Sequence, residues 1–258
     1  MPELSFQELG SGPTLLLIHG FPMNSQVWDE FRKPLSKHFN VITIDLPGFG
    51  ASTPLKEGFG IDDVAESVIE WLKKKGINNC VVVGHSLGGY VALAMARKQP
   101  EILAGIGLFH STAQPDSDEK KISRLKVVEF IDRNGVLAFT SNFIPQLFAN
   151  QEHSAIEKVR SIAIKSGSDT VKGYTLAMRN RPSSTDVLEN FDKPVLFLAG
   201  SKDAGIPVES ILEQAALCQR PDVQVLEGVA HMGMFENPDL ATINIIQFSE
   251  GCFAKLPH

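Results

Sequence analysis

The stretch Val81-Val82-Val83-Gly84-His85-Ser86-Leu87-Gly88-Gly89 decides the fold. A β-branched apolar run reads as a buried strand, and this one stops at a serine with glycines on both sides, followed by a small-residue helix. A strand that turns directly into a helix at Ser86 holds the serine in a tight backbone conformation with its hydroxyl clear of the chain. Gly84 and Gly88 serve that turn, because side chains two positions away would crowd the adjoining backbones. The competing reading is a plain glycine turn after a buried strand, and G-x-S-x-G alone does not separate the two.

The rest of the chain does separate them. A serine hydroxyl is a weak nucleophile near neutral pH and needs a base, plus a group that orients the base. After a strand-turn-helix serine, an acid and then a histidine follow in chain order. Pro194-Val195-Leu196-Phe197-Leu198-Ala199-Gly200 reads as a buried strand with Ser201-Lys202-Asp203 at its C-terminal end, so Asp203 is the acid candidate. Val223-Gln224-Val225-Leu226 reads as another strand, and Glu227-Gly228-Val229-Ala230-His231 forms a loop before a helix starting near Pro238. His231 is therefore the base candidate. Asp45 also ends a strand, but chain order favours Asp203; Asp45-Leu46-Pro47-Gly48 reads as a turn tied by its own carboxylate.

With His19-Gly20-Phe21-Pro22, Asp45-Leu46-Pro47-Gly48-Phe49-Gly50-Ala51-Ser52, Gly200-Ser201-Lys202-Asp203 and His231 ahead of Glu236-Asn237-Pro238, the chain resembles the α/β-hydrolase superfamily over nearly its full length. Within it, the resemblance is to small serine esterases, lactonases and related acyl hydrolases. That implies hydrolysis of a small carboxylic ester, thioester or lactone through an acyl-enzyme, with Ser86, Asp203 and His231 catalytic and no cofactor. It also implies an oxyanion hole from the backbone N–H groups of Phe21 and Leu87, which side-chain truncation leaves intact. A single glycine after His19, in place of a glycine run, speaks against esters of bulky tertiary alcohols. Resemblance to enol-lactonases further implies that a basic residue among Lys120, Lys121, Arg124, Lys126, Arg179 and Arg181 pairs with a substrate carboxylate.

Strand-like runs Thr14–His19, Asn40–Asp45, Cys80–Gly84, Leu103–His110, Val195–Gly200 and Val223–Glu227 alternate with helix-like stretches such as Asp63–Lys75 and Gly89–Lys98. This predicts an α/β fold with a mostly parallel, doubly wound sheet, and an early antiparallel strand around Leu4–Leu9. Ligands of such sheets bind beyond the carboxyl ends of the strands, where all three candidates fall. Between Ser111 and Asp186 the rhythm breaks into four amphipathic stretches, Glu119–Arg133, Val136–Ala149, Glu152–Ser166 and Asp169–Arg179. They read as an inserted helical cap over residues 111–186, with the hydrolase core formed by 1–110 and 187–258.

Candidate pocket residues are Phe130, Phe139, Phe143, Leu147 and Met178 in the cap, and His19, His85, His110 and Met232 beside the site motifs. For His19 and His85 the alternative is a structural ring bonded to loop backbone, and for His110 a satisfied histidine at a strand end. His38, His153 and His258 read as surface residues.

Composition excludes several classes. The 258 residues, 43% hydrophobic, suffice for one large core. A formal net charge of −6 argues against nucleic acid or anionic membranes as partners. Three scattered cysteines fit a reducing compartment, no run is long enough for a bilayer span or signal core, and a cytoplasmic monomer or homodimer is expected. Gly48-Phe49-Gly50 lacks the third glycine of a dinucleotide fingerprint, and no metal-ligand spacing occurs. Ser86 rules out the carboxylate nucleophile of haloalkane dehalogenases and epoxide hydrolases. A lyase or carbon–carbon hydrolase using the same triad, or a small-molecule receptor on a hydrolase scaffold, stays open.

Overall fold

Strands rich in Val, Ile and Leu assemble into one seven-stranded sheet in the order β1-β3-β2-β4-β5-β6-β7. They are β1 (Phe6–Leu9), β2 (Thr14–Ile18), β3 (Asn40–Ile44), β4 (Cys80–His85), β5 (Leu103–Phe109), β6 (Val195–Gly200) and β7 (Pro221–Leu226). Only β1 is antiparallel, paired with β3; the other pairs are parallel. The structure, a computed structural model, describes residues 2–254; His258, read above as a surface histidine, lies outside the described residues.

The two faces of the sheet carry separate cores, as the two-residue period of a strand requires. Leu16, Ile18, Ile42, Ile44 and Val82 pack into one cluster, while Leu15, Leu17, Val41, Val81 and Val83 pack into the other. Both faces of β4 are thus buried, which is why its sequence is uniformly apolar rather than alternating.

Helices supply the covering layers. In chain order they are α1 (Arg32–Leu35), α2 (Ile61–Lys74), α3 (Leu87–Lys98), α4 (Asp118–Phe143), α5 (Ile156–Ala163), α6 (Ser168–Asn180), α7 (Thr185–Asn190), α8 (Val208–Ala215), α9 (Gly233–Glu236) and α10 (Pro238–Phe253). In α2, Asp62 and Asp63 sit in the first turn and Lys73 and Lys74 in the last, each sign at the helix end that attracts it. Gly76, at φ +71°, follows the end of the helix.

The helices α4 to α7 come between β5 and β6. The two stretches expected as separate helices, Glu119–Arg133 and Val136–Ala149, form α4 as two helical runs that meet at a kink where Gly135 is non-helical (φ +78°, ψ 170°), and the second run passes into a 3₁₀ turn at Ile144–Leu147 with Pro145 in it. The short helices α1, α7, α8 and α9 carry too few turns for a readable period. Among the described residues no helix is long and apolar enough to cross a membrane.

Candidate active site

Ser86 occupies the junction of β4 and α3 with φ +50° and ψ −110°, a conformation that non-glycine residues rarely adopt. Its amide donates to Phe109 O of β5 (2.9 Å), and Ser111 Oγ donates to its carbonyl (2.7 Å). The flanking glycines make the turn possible. A Cβ on Gly84 would lie 2.1 Å from the carbonyl of Gly88, and one on Gly88 would lie 2.4 Å from Ile18 O.

At the end of β6, Asp203 is buried and fully engaged. Its Oδ1 accepts from the amides of Gly205 (3.0 Å) and Ile206 (3.2 Å), and its Oδ2 meets His231 Nδ1 at 2.6 Å. Burial alone would raise the pKa of this carboxyl; the charge and hydrogen bond of His231, with smaller help from His110 and the Gly205 amide, outweigh it and hold the group below the usual carboxylate range.

The His231 loop is held from three sides. The His231 amide donates to Leu147 O (2.9 Å), and its carbonyl accepts from His85 Nε2 (2.8 Å). Glu236 accepts at one oxygen from the amides of Ala230 and Met232 (both 3.1 Å) and at the other from Ala149 (2.7 Å), linking this loop to the inserted helices. With Nδ1 turned to Asp203, the ring's Nε2 is left for proton transfer. Ser86, Asp203 and His231 all line one cavity of about 920 Å³. Ser86 Oγ makes no hydrogen bond to another described residue, nor do the N–H groups of Phe21 and Leu87.

Of the residues expected in the pocket, Phe130, Phe139, Phe143, Leu147 and Met178 line this cavity, as does Phe21. The rings of Phe139 and Phe143 stack at 5.1 Å, and that of Phe21 stands 6.1 and 6.2 Å from them. His19, His85, His110 and Met232 do not line it, contrary to expectation. His19 Nδ1 bonds Gly20 O (2.9 Å) and its Nε2 accepts from the Leu46 amide (3.0 Å), so both ring nitrogens are occupied by loop backbone. His85 lies behind Gly20, His110 behind Gly233, and Met232 in the core. Burial lowers the pKa of His19, sends that of His85 well below the ordinary histidine value and takes that of His110 down to about 3. All three are neutral fixtures. Asp45 ties its turn, accepting from the amides of Ser25 (2.9 Å) and Ala51 (3.0 Å).

Sequence reading missed Tyr90, Val127, Asn142 and Gln146 on the wall, and Glu236 behind the histidine loop. Tyr90 is one helical turn beyond Ser86, a spacing that would have found it. The cavity also has a cationic side. Lys120, Arg124 and Lys202 line it, and the one acidic lining residue is Asp203, already matched by His231. Arg124 is fixed by Asp116, whose buried carboxylate takes Arg124 Nε at 2.8 Å and Arg181 Nη1 at 2.7 Å. Among the described residues no cluster of His, Cys, Asp or Glu is arranged to hold a metal ion.

Residues 15–243 match the profile of the family described as "Alpha/beta hydrolase family". The structure superimposes on a thermophilic esterase from Thermogutta terrifontis, solved with malate bound, with a TM-score of 0.92 and 33% identity, covering 97% of this chain and 94% of that one. An enol-lactonase from Burkholderia xenovorans shares the fold, with a TM-score of 0.88 and 20% identity over 96% of each chain. Among curated sequences, a pimeloyl-[acyl-carrier protein] methyl ester esterase of Nitrosospira multiformis is 25% identical, covering 96% of this chain and 98% of the relative.

Proposed function

The chain belongs to the alpha/beta hydrolase family, and from that premise we propose that it hydrolyses small carboxylic esters, thioesters or lactones through an acyl-enzyme on Ser86. The observation that carries this reading is the 2.6 Å contact of His231 Nδ1 with Asp203, made where Ser86 opens on the same cavity. His231 Nε2 takes the Ser86 proton as Oγ attacks the carbonyl carbon. Asp203 holds the tautomer and stabilises the imidazolium. The free amides of Phe21 and Leu87 receive the developing oxyanion, an interaction whose loss typically costs about 2.7–4 kcal/mol of transition-state stabilisation. His231 then returns the proton to the leaving alcohol or thiol, and the same base activates the water that releases the acid.

Residues 111–186 act as a cap over the cavity, with the core in 1–110 and 187–258. The stacked Phe139 and Phe143 rings and Phe130 suit an apolar acyl or alcohol group, while Lys120, Arg124 and Lys202 suit a carboxylate on the same substrate. The malate bound to the Thermogutta terrifontis esterase is in keeping with this charge pattern.

A panel of nitrophenyl esters, acyl thioesters and lactones, each offered as a neutral compound and with a terminal carboxylate, tests the reading beside Ser86→Ala. Turnover of one class and its loss in Ser86→Ala are expected. Tight small-molecule binding with no turnover of any class would instead favour a receptor on a hydrolase scaffold, and bond cleavage with lyase or carbon–carbon products would move the reaction class.

A further inference from the structure

His110 is a buried titratable group that the reaction above does not use. It follows β5 with φ +47°, a backbone conformation that non-glycine residues rarely adopt. Two hydrogen bonds hold it there. Its amide donates to Leu198 O of β6, the strand that carries Asp203 (2.8 Å), and its ring Nε2 accepts from the Gly233 amide (3.1 Å). Glycine is needed at 233 because a Cβ there would stand 2.6 Å from Nε2. A backbone N–H only donates, so Nε2 is bare and the single hydrogen of the neutral ring is on Nδ1.

That Nδ1 has no hydrogen-bond partner, its side chain is 0% exposed, and it stands 3.8 Å from Asp203 Oδ2. The same oxygen meets His231 Nδ1. The other titratable rings facing His110 are His231 and His85, with centroids 5.7 and 6.1 Å away. The molecule thus keeps a strained, buried N–H donor with a dictated tautomer beside the carboxylate that orients the base.

Resting on the serine hydrolase reading, we propose that His110 is a positioning residue: its Nδ1–H dipole, set by Gly233, steers Asp203 Oδ2 so that the carboxylate meets His231 in line. No proton leaves His110 in this role. By stabilising negative charge on Oδ2, the dipole also weakens the pull of the carboxylate on a protonated His231. Removing it lets the base hold its proton to higher pH.

The test uses His110→Leu, His110→Asn and Gly233→Ala in the full chain. His110→Leu is expected to lower kcat about tenfold, through loss of an oriented dipole beside a buried carboxylate, with KM changed less than about twofold. The acid limb of kcat/KM moves up by about half a pH unit, since an opposing dipole has been removed from the carboxylate. Without any substrate, the low-field proton resonance of the His231–Asp203 hydrogen bond shifts in His110→Leu. Asn tolerates the left-handed backbone and offers an amide donor near the Nδ1 position, so His110→Asn recovers most of kcat and of the wild-type pH profile. Gly233→Ala reproduces the Leu phenotype by displacing the ring. An unchanged acid limb and resonance in His110→Leu, or a loss in kcat that Asn fails to recover, overturns the proposal and leaves His110 a packing residue. Absence of Ser86-dependent turnover in the wild type is a different failure, and the resonance is still readable in that case.

Discussion

The carboxyl edge of the sheet and the helical insertion above it build the same cavity by opposite means. At the edge, position is imposed by backbone. Ser86 and His110 sit in left-handed conformations, and Gly84, Gly88, Gly200 and Gly233 each lack a Cβ that would fall within 2.1–2.6 Å of another atom. In the insertion, position is imposed by side chains on helices. Gly135 bends α4 with open space where its Cβ would be, and Phe130, Phe139 and Phe143 reach the cavity from either side of that bend. The edge therefore tolerates almost no change, while the insertion sets which molecule fits and tolerates much.

A pair of glycine substitutions breaks this contrast if it is wrong. Gly84→Ala forces a Cβ into the Gly88 carbonyl and is expected to abolish folded, active protein. Gly135→Ala meets no atom and carries only a backbone penalty, about 1–3 kcal/mol, for a side chain in an extended positive-φ conformation (φ +78°, ψ 170°) that glycine alone adopts readily. Urea melts and esterase rates of the two side by side measure the difference; equal losses would erase the distinction.

Asp203→Asn changes one edge atom without changing shape. It is expected to lower kcat by about 10⁴-fold with the urea midpoint nearly retained, because the amide selects the wrong His231 tautomer. Steady-state kinetics and circular dichroism check both halves.

The edge and its approaches should also fail first in acid. His19, His85 and His110 are buried with pKa values below the ordinary histidine value, His110 at about 3. Between the histidine pKa of the unfolded chain and those folded values the unfolded state binds more protons, so stability is full above about pH 6.5 and falls as pH drops below it. Each such proton contributes up to about 1.4 kcal/mol per pH unit over the range in which its folded ring stays neutral, and for His110 that range reaches down to about 3. Urea midpoints from pH 7 to 5 test the slope, and His110→Asn is expected to reduce it by about one proton.

The smallest effect belongs to the insertion. Phe143→Ala removes one wall ring and is expected to change the preference between short and long acyl groups by about 10-fold, the scale of one apolar contact. The ratio of kcat/KM values for nitrophenyl acetate and octanoate reads it. A comparable loss on every chain length would mean that Phe143 serves the edge and not the pocket.

The same contrast explains what the sequence reveals. Ser86, Asp203 and His231 are legible because each closes a strand-like run and adopts a role tied to chain order, and the strand bounds follow from apolar runs that end in glycine or polar residues. His85 and Met232 adjoin Ser86 and His231 in sequence but not in the pocket, because the His85 ring is turned behind Gly20 and Met232 packs into the core, so chain neighbours of a site residue need not share its cavity. The missed wall residues Val127 and Asn142 depend on the rotational phase of α4 on either side of Gly135, and Gln146 on the 3₁₀ turn that follows it, neither of which a local pattern records. Glu236 is equally silent, since its partners Ala149 and Ala230 lie far away or donate through backbone.

The central claim is that backbone geometry at the β4 end turns Ser86 into a nucleophile served by His231. Intact-mass analysis and peptide mapping after reaction with a fluorophosphonate measure this most directly. One adduct per chain, mapped to Ser86 and strongly slowed in His231→Gln, is the expected result. No adduct on the folded wild-type protein, or an adduct at another residue, would contradict the account.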